Sequence, residues 1–433
     1  LLRREAQKRR LQRQEQRAQR WLLRGDGDWG PRLEEYYCDL YGDATRCPLA
    51  ELPANASNVL QTGGETRCIF DDSTPYAFQV VPGSASRLLV YFQGGGACFN
   101  EDSTELGLCS TDAAPYSPLD GILDPTDAKN PYVGYTVVII LYCSGDAHGG
   151  NVVRDYEVDG SSVVQVGQLN VQAALDWVAQ QQDNGGLNAE LDDLVMSGES
   201  AGSLGVQIWG ADVAEQISAK RVKVLPDAFV GVFPETYTPQ LIYDYGICPW
   251  FSTKAVREKC YALELLMPDI TKDQLERLGD EVPYMSMSSK EDEVQIAFYE
   301  SIVLTCGGSV DEVIGPAEFY DQANAIMEQY APYNFVNFYV QSDVHTFTDE
   351  KYFWTASIYG EASRQLGSTH MLHVWVQSID TELEVCEECS GAARSCEEGR
   401  GTQYCDEELA GNCAAQQPAP TEELALAAAA AAA

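Results

Sequence analysis

At 433 residues, with 45% apolar and 10% aromatic residues, the chain is long enough to form one large globular α/β domain or two smaller ones. Its formal net charge is −38, from 28 Lys and Arg against 66 Asp and Glu. Such a charge excludes a general phosphate-binding surface, so nucleic acid is not an expected partner.

Residues 1–28 form a basic N-terminal arm that differs from the rest of the chain. Residues 1–24 contain nine Arg or Lys against two Glu, although the whole chain is strongly acidic. The arm has high helix propensity, but its apolar residues form no wide stripe, so one interpretation is a solvated helical or disordered segment. The other is an electrostatic tether to an acidic protein partner, either a separate protein or the body of this one.

Residues 29–382 are predicted to form one domain in which strands and helices alternate. The runs "RLLVYFQ" (87–93), "YTVVIILYCS" (135–144), "DDLVMS" (192–197) and "RVKVLPDAFVGVF" (221–233) read as buried strands. Residues 163–182 have helical spacing, and the stretch after Ser200 is also competent to form a helix. This alternation predicts an α/β fold with a mostly parallel sheet and helices on both faces.

Two helices and a strand are predicted next. "EVQIAFYESIVLTC" (293–306) and "PAEFYDQANAIMEQYA" (316–331) look helical, and "NFVNFYVQSDVH" (334–345) reads as a strand that ends in a loop.

Residues 383–433 form a Cys-rich and Ala-rich tail. The pair in Cys386-Glu387-Glu388-Cys389 could indicate a zinc site or a redox pair, but flanking glutamates raise thiol pKa values and oppose both. With further cysteines nearby and no His, structural disulfides are favoured. The Ala-rich end predicts no function.

The whole chain has 14 cysteines, an even and large number that favours disulfide pairing. Asn55-Ala56-Ser57 is an N-glycosylation sequon. Together they predict a secreted or secretory-pathway glycoprotein.

The motif "SGESAG" (197–202) is the central candidate for chemistry. Gly198-Glu199-Ser200-Ala201-Gly202 matches G-x-S-x-G between a predicted strand and a helix-competent stretch, as a nucleophile elbow requires. The glycines fit a sharp turn in which side chains would collide with backbone. The alternative is a tight strand-to-helix turn without catalysis.

A serine nucleophile needs an oxyanion hole, which one N–H from the next residue and another from a glycine-rich loop normally form. Gly94-Gly95-Gly96, in "VYFQGGGACFN", follow a buried strand and supply such a loop. Three glycines can also make an ordinary flexible turn. A phosphate-binding loop is excluded, because no Lys-Ser/Thr follows.

The serine also needs a base, and four histidines are available. The order Ser, then Asp or Glu, then His removes His148. His370 and His373 lie in a helix-like segment, where core or surface roles fit better. His345 follows a predicted strand and is the expected base. As a loop residue it is expected to contribute little packing.

The residues alone do not decide which carboxylate would orient His345. Asp292 lies between Ser200 and His345 in sequence, at a loop-to-helix junction. Glu291, Asp321 and Asp343 compete with it, and a plain helix N-terminal carboxylate is the alternative role for Asp292.

Taken together, these residues resemble the pectin acetylesterase and Notum-like carboxylesterase family, over roughly residues 35–380. The landmarks are "CIFDDSTPYAF" (68–78), "QGGGACFN" (93–100), "LYCSGDAHGG" (141–150), "SGESAG" (197–202), "EDEVQI" (291–296) and "DVHTF" (343–347). The resemblance implies an α/β-hydrolase-like fold, secretion, disulfides and no metal or other cofactor in catalysis.

The resemblance also implies residue roles: Ser200 as nucleophile, Asp292 as orienting acid and His345 as base. Gly95, Gly96 and Ala201 would supply the oxyanion N–H groups. Two departures stand out, because Ala97 replaces the Trp usual in plant members and Ser203 replaces a glycine. Both are expected to alter the pocket wall, so the substrate is not carried over.

The sequence therefore predicts an extracellular serine carboxylesterase that hydrolyses an O-acyl ester, with O-acetyl as one candidate. The acyl-ester substrate would be a polysaccharide or a lipidated protein. The alternative is a hydrolase-fold scaffold in an extracellular assembly, with an unused site, which the arm and the Cys-rich tail would suit.

Overall fold

The computed structural model describes residues 35–54, 56–128, 130–340, 343–349 and 403–406. The basic arm, almost all of the tail, Asn55, His370 and His373 lie outside the described residues. The predicted boundaries at 28 and 382 therefore stay predictions.

The described strands are bounded as follows. They are β1 (Glu35–Asp39), β2 (Ser57–Gln61), β3 (Ala77–Val81), β4 (Ser84–Phe92), β5 (Tyr135–Ile140), β6 (Val152–Val158), β7 (Ser161–Gln165), β8 (Asp193–Glu199), β9 (Val222–Asp227), β10 (Tyr284–Ser289), β11 (Phe335–Val340) and β12 (Gln403–Asp406).

The described α-helices are α1 (Glu101–Glu105), α2 (Gly167–Asn184), α3 (Ala201–Gln216), α4 (Thr238–Asp244), α5 (Lys254–Tyr261), α6 (Met267–Leu278), α7 (Glu293–Thr305) and α8 (Pro316–Glu328). Short 3-10 helices lie at Leu49–Glu51, Gly121–Leu123, Cys248–Trp250 and Val310–Glu312.

In the described part of the chain, ten strands form one sheet in the order β1-β2-β3-β5-β4-β8-β9-β10-β11-β12. The pairs β2–β3 and β3–β5 are antiparallel and the remaining pairs are parallel. Strands β6 and β7 form a separate antiparallel hairpin. The predicted α/β fold with a mostly parallel sheet is confirmed.

Strand β4 shows why the central strands read as continuous apolar runs. Leu88, Val90 and Phe92 pack on one side of the sheet, beneath helices α2, α3, α6 and α8. Leu89 and Tyr91 pack on the other, where the 3-10 helix Gly121–Leu123 and neighbouring loops contribute the cover. Alternate side chains point to opposite faces, so a strand buried on both faces has no polar side.

Two predicted elements have different limits in the structure. The helical stretch predicted over 163–182 begins with the end of β7, and helix α2 starts only at Gly167. The strand predicted over 221–233 stops at Asp227, because Ala228 and Phe229 have positive φ angles of 65° and 49°. An extended strand cannot continue through left-handed residues.

Four disulfides join eight of the cysteines in the described segments: Cys38–Cys47, Cys68–Cys143, Cys98–Cys109 and Cys248–Cys260. Cys306 is free and partly buried, and burial raises the pKa of its thiol. The Cys-rich tail lies outside the described residues, so its predicted disulfides stay a prediction. Among the described helices, none has the length and apolar character needed to cross a membrane.

Replacing Cys68 and Cys143 together by serine is expected to lower the free energy of unfolding by roughly 2–5 kcal/mol. The bridge closes a sequence separation of 75 residues, so its loss frees a long loop in the unfolded chain. Urea unfolding of both proteins measures the difference. Ready alkylation of these two cysteines in the folded, unreduced protein would contradict the bridge.

Candidate active site

The candidate site residues follow the carboxyl ends of neighbouring strands. Gly94–Gly96 follow β4, Ser200 follows β8, Asp292 lies between β10 and α7, and His345 follows β11. In the sheet these strands occur in the order β4-β8-β9-β10-β11, and each neighbouring pair is parallel. Parallel strands present their carboxyl ends at one edge, which is where such sheets bind ligands.

Ser200 stands on the sharp turn between β8 and α3. Its backbone angles, φ 55° and ψ −123°, are strained for a residue with a side chain. A Cβ at Gly198 would lie 2.7 Å from the carbonyl oxygen of Gly202, and one at Gly202 would overlap the carbonyl of Phe92. The turn therefore needs glycine on both sides of the serine, as a nucleophile elbow does.

His345 lies between Ser200 and Asp292. Its Nε2 is 2.8 Å from Ser200 Oγ, and its Nδ1 is 2.9 and 2.8 Å from the two carboxylate oxygens of Asp292. With a proton on Nδ1 donated to Asp292, Nε2 is left to accept the hydroxyl proton of Ser200. The structure thus brings the three predicted residues into one hydrogen-bonded chain.

The pKa of His345 results from opposing effects. Burial disfavours its protonated form, but the charge of Asp292 and the hydrogen bond to it outweigh burial, with smaller contributions from Glu199 and Asp227. The net result is a pKa of His345 raised above its ordinary value. An imidazolium at this position is therefore stabilised by its surroundings.

Asp292 both caps a helix and contacts His345, two roles that the sequence analysis left as alternatives. It is the N-cap of α7, where its Oδ1 accepts hydrogen bonds from the backbone N–H groups of Val294 and Gln295 at 3.0 and 2.9 Å. The same buried carboxylate accepts from the Gln295 side chain at 2.8 Å and faces His345. The competing acids Glu291, Asp321 and Asp343 are solvent-exposed.

The expectation that His345 contributes little packing is wrong. Its side chain is 2% exposed, and its ring stands edge-on to Phe229 with centroids 5.5 Å apart. Phe229 has a positive φ angle of 49°, a conformation that nothing in its residue type predicts. That conformation belongs to the turn after β9, which passes next to the elbow.

His148, removed as a base by chain order, is buried next to the glycine loop. Its Nε2 lies 2.8 Å from the carbonyl oxygen of Gln93, and its ring packs against Tyr142. Burial lowers the pKa of His148 to about 4. The neutral ring can donate from Nε2 and so supports the backbone just before Gly94.

Hydrogen bonds hold the first two residues of the loop Gly94–Gly96. The N–H of Gly94 donates to Glu199 Oε1 at 2.6 Å, and the carbonyl of Gly95 accepts from the N–H of Ser110 at 2.7 Å. Gly95 and Gly96 have φ angles of 139° and 72°. Within the described ranges, the N–H groups of Gly95, Gly96 and Ala201 have no hydrogen-bond acceptor, which leaves them available for an oxyanion.

Asp227 is a buried support that the sequence analysis missed. Its Oδ2 accepts from the N–H groups of Phe347 and Thr348 at 2.7 and 2.6 Å, and its backbone carbonyl accepts from Ser200 N–H at 3.0 Å. It therefore ties the elbow to the loop that carries His345. Burial raises the pKa of Asp227 to about 6. The sequence analysis placed Asp227 in the middle of a strand predicted over 221–233, so its position at the observed strand end gave no signal.

An apolar pocket opens beside Ser200 and has an empty volume of about 810 Å³, including its mouth. Gly96 and Ala201 line it at the candidate oxyanion site, and Phe229 and Phe298 stand nearby. The rest of its wall is mainly aliphatic and aromatic, including Leu204, Ile208, Phe233, Leu241, Ile270 and Ile302.

The two sequence departures have different effects. Ala97 lines the pocket, as expected. The expectation for Ser203 is wrong, because this residue is buried behind the wall, where its hydroxyl donates to the carbonyl of Ala228 at 2.6 Å. Among the residues that the structure describes, no group of three or more His, Cys, Asp or Glu could hold a metal ion.

A comparison with protein-family models gives a match that agrees with the resemblance. Residues 58–246 match the family model described as Pectinacetylesterase. Among solved structures, the chain is similar to the Wnt deacylase Notum from Drosophila, with 17% identity and a TM-score of 0.48 over 67% of this chain and 86% of that chain. A search of curated protein sequences found no significant match.

The matched segment contains the glycine loop, the "LYCSGDAHGG" run and the elbow with Ser200, and it ends before Asp292 and His345. Over residues 58–246, which include these motifs, the chain is therefore similar to the pectinacetylesterase family.

Proposed function

We propose that this protein is a serine carboxylesterase that uses Ser200 as nucleophile, His345 as general base and Asp292 as orienting acid. The observation that carries the proposal is the continuous chain of contacts from Ser200 Oγ through His345 to Asp292, with distances between 2.8 and 2.9 Å. Three groups at hydrogen-bond distance, with the serine on a strained elbow, match the geometry that activates a hydroxyl nucleophile.

In the first half-reaction, His345 Nε2 takes the proton of Ser200 as Oγ attacks the ester carbonyl carbon. The carbonyl oxygen becomes an oxyanion, which the N–H groups of Gly95, Gly96 and Ala201 would bind. His345 then gives its proton to the oxygen of the departing alcohol, which leaves an acyl group on Ser200. Asp292 stabilises the imidazolium between these two proton transfers.

The second half-reaction repeats these transfers with water. His345 takes a proton from a water molecule that attacks the acyl carbon, and the same N–H groups hold the second oxyanion. Collapse of that intermediate breaks the bond to Ser200 Oγ, which recovers its proton from His345. The products are a carboxylic acid and an alcohol.

The apolar pocket supports an acyl chain longer than acetyl. Beyond Gly96 and Ala201 its wall continues through aliphatic and aromatic side chains such as Leu204, Phe233 and Ile270, whereas an acetyl group presents a single methyl. Each methylene moved from water into such a pocket contributes about 0.8 kcal/mol. Of the two substrate classes expected from the sequence, a lipidated protein therefore fits this pocket better than an acetylated polysaccharide.

An extracellular or secretory-pathway location is the compartment that we propose. The support is the set of four disulfides in the described segments, since disulfides persist in oxidising compartments. The role of the basic arm as a tether to an acidic protein partner stays a separate proposal, carried by its charge alone.

A fluorophosphonate probe is expected to label Ser200 and no other serine. The probe reacts with a serine activated by a base next to an oxyanion site, a combination that we find only around Ser200 in the described residues. Peptide mapping of the labelled protein identifies the site, with Ser200→Ala as the control that loses the label.

The same experiment separates the enzyme from the scaffold alternative. An extracellular scaffold with an unused site would leave the folded protein unlabelled. Label on a different serine would also overturn the assignment of Ser200.

A further inference from the structure

Glu199, the residue before Ser200, is buried against the glycine loop. Its Oε1 accepts two hydrogen bonds, from Gly94 N–H at 2.6 Å and from the Tyr116 hydroxyl at 2.8 Å. The side chain is 6% exposed. A carboxylate on the strand that carries the nucleophile therefore contacts the first residue of the candidate oxyanion loop directly.

The fit between this carboxylate and the loop is close. A Cβ at Gly94 would overlap the Glu199 carboxylate and lie 2.7 Å from the backbone oxygen of Glu199. Strand register explains the contact, because Phe92 of β4 pairs with Gly198 of β8. The two chains reach the edge of the sheet side by side, and Glu199 fills the space under Gly94.

We propose that the Glu199 carboxylate is a positioning residue: it holds the Gly94–Gly96 loop with its free N–H groups directed at the reacting carbonyl, and it does so in its ionised form. The inference rests on the proposed function, because it assigns the loop an oxyanion-binding role.

The ionised form is the one that holds the loop. An ionised carboxylate accepts both hydrogen bonds, and charge-assisted bonds of this kind are about twice as strong as neutral ones. Protonation turns one carboxyl oxygen into a donor, which weakens the contact with Gly94 N–H.

The ionisation of Glu199 lies near neutral pH. Burial raises the pKa of Glu199 to about 7, against the opposing effect of the hydrogen bonds from Tyr116 and Gly94. Among the charged groups facing it, His345 lowers this pKa and Asp227 raises it. Tyr116, itself buried, is not ionised at neutral pH, because burial raises its pKa far above the ordinary value. As pH falls below about 7, Glu199 gains a proton, and the hydrogen bond that holds Gly94 is weakened.

The test compares Glu199→Gln and Glu199→Ala with the wild type on p-nitrophenyl octanoate, between about pH 5 and pH 9. Glu199→Ala is expected to lower kcat about 100-fold, as the loss of an oxyanion donor does. Glu199→Gln, which keeps the volume and one acceptor, is expected to lower kcat about 10-fold. KM should stay within about threefold for both, because the loop acts on the transition state.

The pH profile distinguishes a positioning role of Glu199 from a general loss of structure in the variants. In the wild type, both Glu199 and His345 gain protons as pH falls, so the acid limb of log kcat/KM is expected to be steeper than a single ionisation gives. In Glu199→Gln, the slope of the acid limb should fall to the value that a single ionisation gives. Tyr116→Phe removes a hydrogen bond that lowers the pKa of Glu199, so its acid limb should move to higher pH.

Two controls make the outcome decisive. Glu190→Gln removes the same charge at an exposed position before the same strand and should leave kcat unchanged. If Ser200→Ala abolishes activity while both Glu199 variants keep the wild-type kcat and acid limb, this inference alone is overturned. If Ser200→Ala keeps its activity, the proposed function itself fails.

Discussion

Replacing His345 by alanine is expected to lower ester turnover by at least about 10⁴-fold, because in the described part of the chain His345 is the side chain that lies at hydrogen-bond distance from Ser200 Oγ. His345 Nε2 lies 2.8 Å from Ser200 Oγ, and the pKa of His345 is raised by Asp292 against the effect of burial. Without the imidazole, the serine loses its base and the leaving alcohol loses its acid. Single-turnover and steady-state measurements on a chromogenic ester give the loss directly.

The stability of this variant needs to be measured as well. His345 is buried against Phe229, so alanine leaves a small cavity and is expected to cost about 1–3 kcal/mol while the protein stays folded. Thermal melting followed by circular dichroism tests this. His370→Ala and His373→Ala are the sequence-matched controls and should keep their turnover. If His345→Ala retained more than a few per cent of turnover, the base would be another group.

Much of the candidate site could be predicted from sequence, because its parts lie in short local patterns. The G-x-S-x-G around Ser200 encodes the turn through its glycines, and the clashes expected there are present at Gly198 and Gly202. His345 was recognisable because it follows a predicted strand, and carboxyl ends of parallel strands share one edge of the sheet. Local chain geometry is sufficient for both.

The acid could not be chosen in the same way. Glu291 and Asp292 lie at a predicted loop-to-helix junction, and Asp343 lies just before His345 in sequence. Which of these carboxylates faces inward depends on how α7 meets the sheet. The structure decides through burial: Asp292 caps α7 and turns to His345, whereas its neighbour Glu291 is exposed. Two adjacent carboxylates therefore point in different directions, one into the protein and one into solvent.

The supporting groups were missed for a related reason. Glu199 and Asp227 are single carboxylates at strand ends, and their partners are backbone N–H groups far away in sequence, such as Gly94 and Thr348. Nothing in the composition of a strand end shows which backbone it will meet. The left-handed turn at Ala228 and Phe229 was missed too, because neither residue type favours positive φ.

The pocket wall is set by long-range packing of α4, α6 and α7 over the carboxyl end of the sheet, and sequence periodicity gave no sign of a cavity there. Ala97 is the exception, since its replacement of the Trp usual in plant members of the family that the chain resembles already implied a change in the wall. It lines the pocket next to Gly96. Its small side chain leaves open the part of the pocket next to the candidate oxyanion site, which makes Ala97 a suitable position for a test of acyl-chain length.

Ala97→Trp is expected to lower kcat/KM for p-nitrophenyl octanoate about 100-fold and to change it for p-nitrophenyl acetate by no more than about threefold. An octanoyl chain has six more methylenes than acetyl, and at about 0.8 kcal/mol each they contribute at most roughly 5 kcal/mol. A loss of 100-fold, about 2.7 kcal/mol, corresponds to blocking about half of that contact. Ala189→Trp, at an exposed site before β8, is the matched control and should affect neither ester. Equal losses for both esters would mean that the indole had displaced the oxyanion loop, and an unchanged octanoate rate would mean that the acyl chain lies outside this pocket.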